Sequence, residues 1–507
     1  MSEQTLYLRE QLAASIRLHQ AGQLPEAIAL YQLLLQQFPG HPRILHPYGL
    51  ACQEAGDLRS ATNLLSQAAI RDPDNPDILL SLGVLLKNRQ MSRAALERFR
   101  DFQQRCPNHP EAHFYLGDTL MDLGEAEAAI PPFRNAIQLR PHFQEAWINL
   151  GLCLKASGQL EEARHCFEQV VTHYPQLIAG HINLALTALL MEDYHTGWRE
   201  YEWRLQASGE QACLHKPKIL LHNPGIPRWL GSPLHGQTIL VLAEQGFGDT
   251  LQFVRYLPML KAMGARILLT CQSALLPLLR NMDCIDSLST PEQFQCQETI
   301  DCYSPLLSLP LALHTQAENI PASVPYLWAD PQLQQSWQQR LSALKNRRIG
   351  LVWQGKPLHQ NDPLRRRSCP WEALAPLAAL PDISWISLQK DPNRQTPLPP
   401  HPGMSLLDLN NALTDFAQTA AIVSQLDLLI TIDTAVAHLA GALGKPVWLL
   451  LPLAPDWRWS QNPTSTPWYP GMRMFRQQIA NDWHAPIQQM VAQLQKDSSL
   501  ADCILVN

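Results

Sequence analysis

Alanine stands at positions 27, 61, 95, 129 and 163, and four residues beyond each comes a large apolar side chain: Tyr31, Leu65, Phe99, Phe133 and Phe167. Gly49, Gly83, Gly117 and Gly151 form a second column at the same period of 34. Gly22, Gly56, Gly124 and Gly158 form a third, broken at Gln90, and Pro39, Pro73, Pro107, Pro141 and Pro175 a fourth. The pattern predicts two antiparallel helices per repeat. Small residues let the helices approach, the large apolar residue fills the space between them, glycine turns the chain, and proline blocks continuation of the second helix. A sixth copy is degenerate: it puts Gly197 in the alanine column, keeps Tyr201, and ends in GWREYEWRL. An end repeat with no further copy to stack on is expected to be atypical, so this copy reads as a cap.

The period and its columns resemble the tetratricopeptide repeat over residues 8–205, an all-α solenoid of five regular repeats and one capping repeat. Such an array offers a concave groove to a protein or peptide, and its fold alone names no guest. The periodicity stops at Gln206, and a connector with Pro217, Pro224, Pro227 and Pro233 runs to about 235. A different rhythm follows. The apolar runs TILVLAEQ and ARILLTCQ read as buried strands, each leading into a helical pattern. From 347 a second series begins with RRIGLVWQG and continues through ISWISLQK, DFAQTAAIVSQL, DLLITID, TAVAHLAGALG and PVWLLLP. Strands alternating with helices predict two Rossmann-like lobes, 236–345 and 346–495.

Composition adds limits. Over 507 residues, 46% are hydrophobic and 17% charged, with 39 basic against 45 acidic side chains, which excludes a disordered tail as the main structure. A net charge of −6 gives no field suited to a polyanion, so nucleic acid is not an expected partner. The 11 cysteines stand singly without metal-like spacing, which points away from a structural metal and towards a reducing compartment. The start MSEQTLYLREQL carries charges where a signal peptide needs an apolar run, and the apolar stretch 428–455 is interrupted by Asp433, His438 and Lys445. The expectation is a cytoplasmic protein with no transmembrane segment. Of 41 prolines, 12 fall in residues 1–205, five of them in the periodic column; the rest mark a loop-rich second half.

In doubly wound sheets ligands bind beyond the carboxyl ends of the strands, so three segments hold the candidate chemistry. In GFGDT, Gly246 and Gly248 let the backbone turn closely. Asp249 then opens a helix, either as an N-cap accepting a backbone N–H or as a general base taking a proton from an acceptor hydroxyl. This GxG is neither a Walker A loop nor a full dinucleotide fingerprint. In IDTAVAHLAGALGKP a buried strand ends in Asp433 and Thr434 and passes straight into a helix, whose free N–H groups suit a diphosphate. Thr434 and the backbone of Ala435 and Val436 are candidate donors there, with His438 one turn along; the alternative is a capped helix with a satisfied core histidine. The loop WQGKPLHQNDPLRRRSCPW gathers Lys356, His359, Arg365, Arg366 and Arg367 after a strand, and Lys356, then Arg367, are the candidate phosphate ligands. Gln389 and Lys390, at the end of SLQK, are candidates to read a base or ribose.

Taken together, AEQGFGDTLQFVRYLP, the WQGKP…RRRS loop, DFAQTAAIVSQLDLLITIDTAVAHLAGALGKPVWLLLP and APDWRWSQNPTSTPWYP resemble the heptosyltransferase-like glycosyltransferases of family nine, in the version preceded by a tetratricopeptide array. The resemblance covers about residues 236–495. It implies a GT-B fold, with an acceptor lobe, a C-terminal lobe that holds most of a nucleotide sugar, and inverting chemistry without metal or cofactor. The family's aspartate maps to Asp249 as base, its lysine to Lys356, and its Asp-Thr-Gly-x-x-His element to Asp433, Thr434, Ala435 and His438, with Ala435 where the family has glycine. Gln418 stands where close relatives have aspartate, and the loop 361–368 is two residues longer. The implied function is transfer from an ADP-heptose-like or UDP-sugar donor to a hydroxyl of a protein recruited by the repeats. The protein O-linked N-acetylglucosamine transferases offer an architectural analogy. The rival expectations are an inactive docking scaffold and a lipopolysaccharide-core sugar transferase.

Overall fold

The structure, a computed structural model, describes residues 3–207, 225–295, 299–355, 367–391, 393–394 and 401–504. It comprises two compact units, Met1–Pro175 and Gln176–Asn507.

In the first unit, α1 (Glu3–Gln20) and α2 (Leu24–Gln37) are followed by four further pairs: α3 (Pro42–Glu54) with α4 (Leu58–Arg71), α5 (Pro76–Asn88) with α6 (Ser92–Arg105), α7 (Pro110–Asp122) with α8 (Ala126–Leu139), and α9 (Gln144–Ala156) with α10 (Leu160–His173). The columns explain the pairs. The five alanines and the five large apolar residues are fully buried. A Cβ at Gly83 would lie 2.4 Å from the Phe99 ring, and one at Gly151 2.6 Å from that of Phe167, so glycine is what lets each helix close on its neighbour's ring. Each proline of the periodic column follows the end of a second helix. Pro42, Pro76 and Pro110 open the next one at its first position, where the missing N–H costs nothing. The turn column keeps a left-handed backbone throughout: Gly22, Gly56, Gly124 and Gly158 have φ between +75° and +83°, and Gln90 adopts φ +59° at the same place. Gln90 changes the residue without changing the turn.

The second unit opens with α11 (Ile178–Leu190) and α12 (Tyr194–Tyr201), then the 3₁₀ turn Glu202–Gln206. The sequence pattern assigned these residues to the array, with a boundary at 205; in the structure they fold with the α/β lobes. The outer face of the degenerate repeat explains this. Trp198 packs edge-on against Trp457 at 5.3 Å and against Phe253 and Trp468 at 6.3 Å, and its indole N–H donates to the Thr315 carbonyl at 3.1 Å. The final copy is thus aromatic because lobes, rather than water, cover it.

Two sheets follow, with every strand pair parallel. The first contains β1 (Thr238–Leu242), β2 (Arg266–Thr270), β3 (Ser287–Ser289) and β4 (Cys302–Pro305) in the order 3-2-1-4. The second contains β5 (Arg347–Val352), β6 (Ile383–Ser387), β7 (Leu406–Asp408), β8 (Leu428–Ile432), β9 (Val447–Leu451) and β10 (Met472–Arg476) in the order 10-9-8-5-6-7. That is the doubly wound order of a dinucleotide-binding domain, and it reverses between β5 and β8. Strands β1, β8 and β9 are buried along their whole length, as parallel strands covered on both faces require. One face of the second sheet packs Ile349, Leu351, Trp385 and Ile430 against Ile487, Met490 and Leu494 of the last helix, His484–Ile504. Among the described residues no helix is long and apolar enough to cross a membrane.

Candidate functional site

The backbone leaving β1 turns sharply at Gln245, at φ +60°, and a helix, α13 (Phe247–Phe253), begins two residues on. Asp249 lies in its first turn. One carboxylate oxygen accepts the Gly246 N–H at 2.8 Å; the other accepts from the Arg458 guanidinium at 2.5 Å. Asp249 therefore caps from inside the helix, reaching back to the residue before it, rather than standing at the N-cap itself. Burial pushes its pKa up, opposed by Arg458 and the Gly246 N–H.

Across the unit, β8 ends at Ile432, and Asp433 and Thr434 lead into α14 (Ala435–Ala442). Asp433 and Thr434 thus leave β8, and Gly355 leaves β5, beside the point where the strand order reverses, where an open α/β sheet receives its ligand. Thr434 makes no capping bond to its own helix; its hydroxyl lies 3.2 Å from that of Thr431. The pKa of Asp433 is pushed up to about 6 by burial and by the nearby Asp456, against the pull of Arg367 and Arg458. Arg367 packs on Gly355, where a Cβ would sit 2.9 Å from its Nε.

Helices α13 and α14 face each other closely. A Cβ at Gly248 would lie 2.9 Å from the His438 ring and 3.6 Å from the Ala435 Cα, so Gly248 brings the two helices together. His438 is buried, stacks on Trp459 at 5.0 Å and bonds the Tyr469 hydroxyl through Nδ1 at 2.9 Å. Burial, with Arg458 and Arg255 adding to it, lowers its pKa well below the ordinary value and keeps the ring neutral. The geometry agrees with the satisfied core histidine.

Arg458 is the residue the sequence reading missed. It lies on the turn Trp457–Trp459, past the carboxyl end of β9. Its Nε donates to Gln252 Oε1 at 2.7 Å, one terminal nitrogen to Asp456 at 2.8 Å and the other to Asp249, while the guanidinium lies over the Trp457 ring at 4.4 Å. The signal was present in APDWRWSQ, an Asp-x-Arg beyond a strand's carboxyl end.

The other candidates divide. Gln389 is buried and its side-chain amide bonds the neighbouring backbone: Oε1 accepts the N–H groups of Trp353 and Gln354 at 3.1 and 2.9 Å, and Nε2 donates to the Gln354 carbonyl at 2.9 Å. It fastens β5 to β6 rather than facing an opening. Lys390 is exposed and donates to the Asn410 carbonyl. Gln418 accepts the Trp337 indole N–H at 2.8 Å. Lys356, His359, Arg365 and Arg366 lie outside the described residues.

Residues 18–82, 84–142 and 120–184 match models of the tetratricopeptide repeat, so the N-terminal part of the chain carries these repeats. Protein FlbA of Caulobacter vibrioides is 26% identical over 304 residues, which cover 55% of this chain and 48% of FlbA; the chain spans about half the length of that curated relative. Among solved structures, YrrB, described as a TPR protein with an unusual peptide-binding site, is 17% identical with a TM-score of 0.33; the match covers 39% of this chain and 98% of YrrB. MamA from Desulfovibrio magneticus RS-1 is 22% identical with a TM-score of 0.30, covering 32% of this chain and 91% of MamA.

Proposed function

We propose that the second unit is a GT-B glycosyltransferase acting on a nucleotide sugar, and that the repeats recruit its protein acceptor. The observation that carries this reading is the meeting of Asp249, which follows β1 of the first sheet, with Arg458, which follows β9 of the second, beside the helix that opens at Thr434. A base from one lobe and a diphosphate cradle from the other are what such a transfer needs. In the reaction Asp249 takes the proton of an acceptor hydroxyl, whose oxygen bonds to the anomeric carbon as the bond to the diphosphate breaks. The nucleoside diphosphate leaves with the electron pair, and the anomeric centre inverts. Charge grows on the leaving phosphate, so Lys356, Arg367 and the N–H groups of Ala435 and Val436 carry most of the acceleration, with Thr434 orienting the phosphate.

In the structure both Asp249 oxygens are engaged, one by Arg458 and the other by the Gly246 N–H. Transfer therefore includes exchange of the Asp249–Arg458 pair as the donor's negative charge arrives. The test is release of nucleoside diphosphate from ADP-, UDP- and GDP-sugars, with and without candidate acceptor proteins. The reading expects release from one of them, lowered about 10²- to 10³-fold in Lys356→Ala with folding stability unchanged. Blank assays across the panel favour the scaffold instead.

A further inference from the structure

The first sheet reverses its strand order between β1 and β4, and the crevice beyond those two strand ends is where a doubly wound lobe ordinarily takes a ligand. Here that crevice holds a side chain of the same protein. Arg204, on the turn after α12, donates through Nε to Glu244 Oε2 at 3.0 Å and through a terminal nitrogen to Glu244 Oε1 at 2.7 Å, and that nitrogen also reaches the Ser308 hydroxyl at 2.8 Å. Glu244 follows β1, Ser308 follows β4, and Glu244 also accepts the Leu307 N–H at 3.1 Å. A two-pronged guanidinium–carboxylate pair thus ties the two strand ends together, and the Arg204 side chain is only 5% exposed.

The neighbouring contact reaches further along the same loop. The Tyr201 hydroxyl lies 2.9 Å from the Gln245 amide nitrogen, which donates to it, and 3.2 Å from the amide oxygen. Gln245 holds the left-handed backbone that leads to Gly246, whose N–H is bonded to Asp249. Glu244, Gln245, Gly246 and Asp249 are therefore fixed in sequence, and the first two are gripped by the last helical pair of the solenoid pattern.

We propose that Arg204 and Tyr201 are positioning residues, which fill the first lobe's ligand crevice and hold the Glu244–Asp249 loop so that Asp249 is aimed at the second lobe's phosphate cradle. The proposal rests on the transferase reading above. It makes α12 and the turn after it an internal part of the site, and it leaves one nucleotide site per chain, in the second lobe.

The test uses the full chain with Tyr201→Phe, which removes one hydroxyl, and Arg204→Lys, which keeps the charge and loses the fork. Amide exchange is measured over Gln245–Thr250, along with affinity for the nucleotide that binds wild type and release of nucleoside diphosphate. Loop exchange should rise about five- to tenfold in each variant, the scale of one lost hydrogen bond. Nucleotide affinity should stay within about twofold while turnover falls about tenfold or more, because a base displaced by an ångström loses rate rather than donor binding. Loop exchange and turnover equal to wild type in Tyr201→Phe overturn the positioning role, whether or not Arg204→Lys folds. Exchange raised throughout 176–507 also overturns it, since that is general loosening. A wild-type chain that binds no nucleotide overturns the transferase reading itself, and two nucleotides per chain overturn the plugged crevice.

Discussion

Each unit is held together internally, and the contacts that do it differ in reach. In the repeat unit, polar links join residues about one repeat apart: Lys87 with Asp118 at a separation of 31, Arg134 with Glu162 at 28, Tyr174 with the His142 carbonyl at 32. In the α/β unit, Arg458 meets Asp249 across 209 positions and Gln252 across 206, and Arg255 reaches the Trp468 carbonyl across 213. An array is a sum of neighbour terms, so damage stays local. A site assembled from distant strand ends has no local unit, so one substitution there loosens both lobes.

Arg458→Gln gives the largest expected effect. It leaves Asp249 and Asp456 without their shared guanidinium, and losing one member of a buried charge group costs about 3–5 kcal/mol. Denaturant unfolding followed by peptide-resolved exchange should show residues 176–507 opening earlier while the array keeps its midpoint. Equal shifts in both units would break the comparison.

A matched pair of glycines sharpens it further. Gly83→Ala would press on Phe99, and Gly248→Ala on His438, and overpacking of this kind costs about 1–3 kcal/mol. The first change should raise exchange only in α5, α6 and their neighbours. The second should raise it in α13 and α14 together.

The pH dependence is of similar size. Asp433 has a pKa near 6 in the folded chain against an ordinary 3.8, so between those values the folded state binds the proton more tightly than the unfolded state. Stability of the second unit should fall as pH rises through that window, by up to about 3 kcal/mol. Asp433→Asn should flatten this slope in urea titrations at pH 4.5 and 7, and should be the more stable form at pH 7. The smallest effect belongs to the array: Gln90→Gly relieves a left-handed turn at an exposed position and should stabilise by about 0.5–1 kcal/mol.

The same difference in reach decided what could be read from the residues. The array was legible because its period repeats the packing rule five times, so Gly83 and Phe99 announced their contact by register alone. The sheets were legible as apolar runs, and the residues after β1 and β8 could be singled out because ligands gather at strand ends. Their partners were hidden. Nothing in the local pattern of WRWSQ says that Arg458 faces Asp249, and nothing in EWRLQ says that Arg204 fills a crevice between β1 and β4. The partners of Gln389 were hidden for the same reason: the Trp353 and Gln354 backbone it bonds, just past β5, lies more than thirty positions away. The sixth copy keeps the array's spacing while its tryptophan packs against the lobes, so its spacing says nothing of which compact unit it joins.

The central claim, that two lobes and the turn after α12 build one nucleotide-sugar site, is tested most directly by thermal unfolding of the full chain with ADP, UDP, GDP and their sugars. The account predicts that one nucleotide series stabilises the second unit, by about 2.7 kcal/mol at a hundred times its Kd. Asp249→Asn should keep that shift and lose nucleoside diphosphate release. No shift with any nucleotide, together with no sugar transfer, would contradict the account and leave a repeat protein whose α/β unit serves only to dock partners.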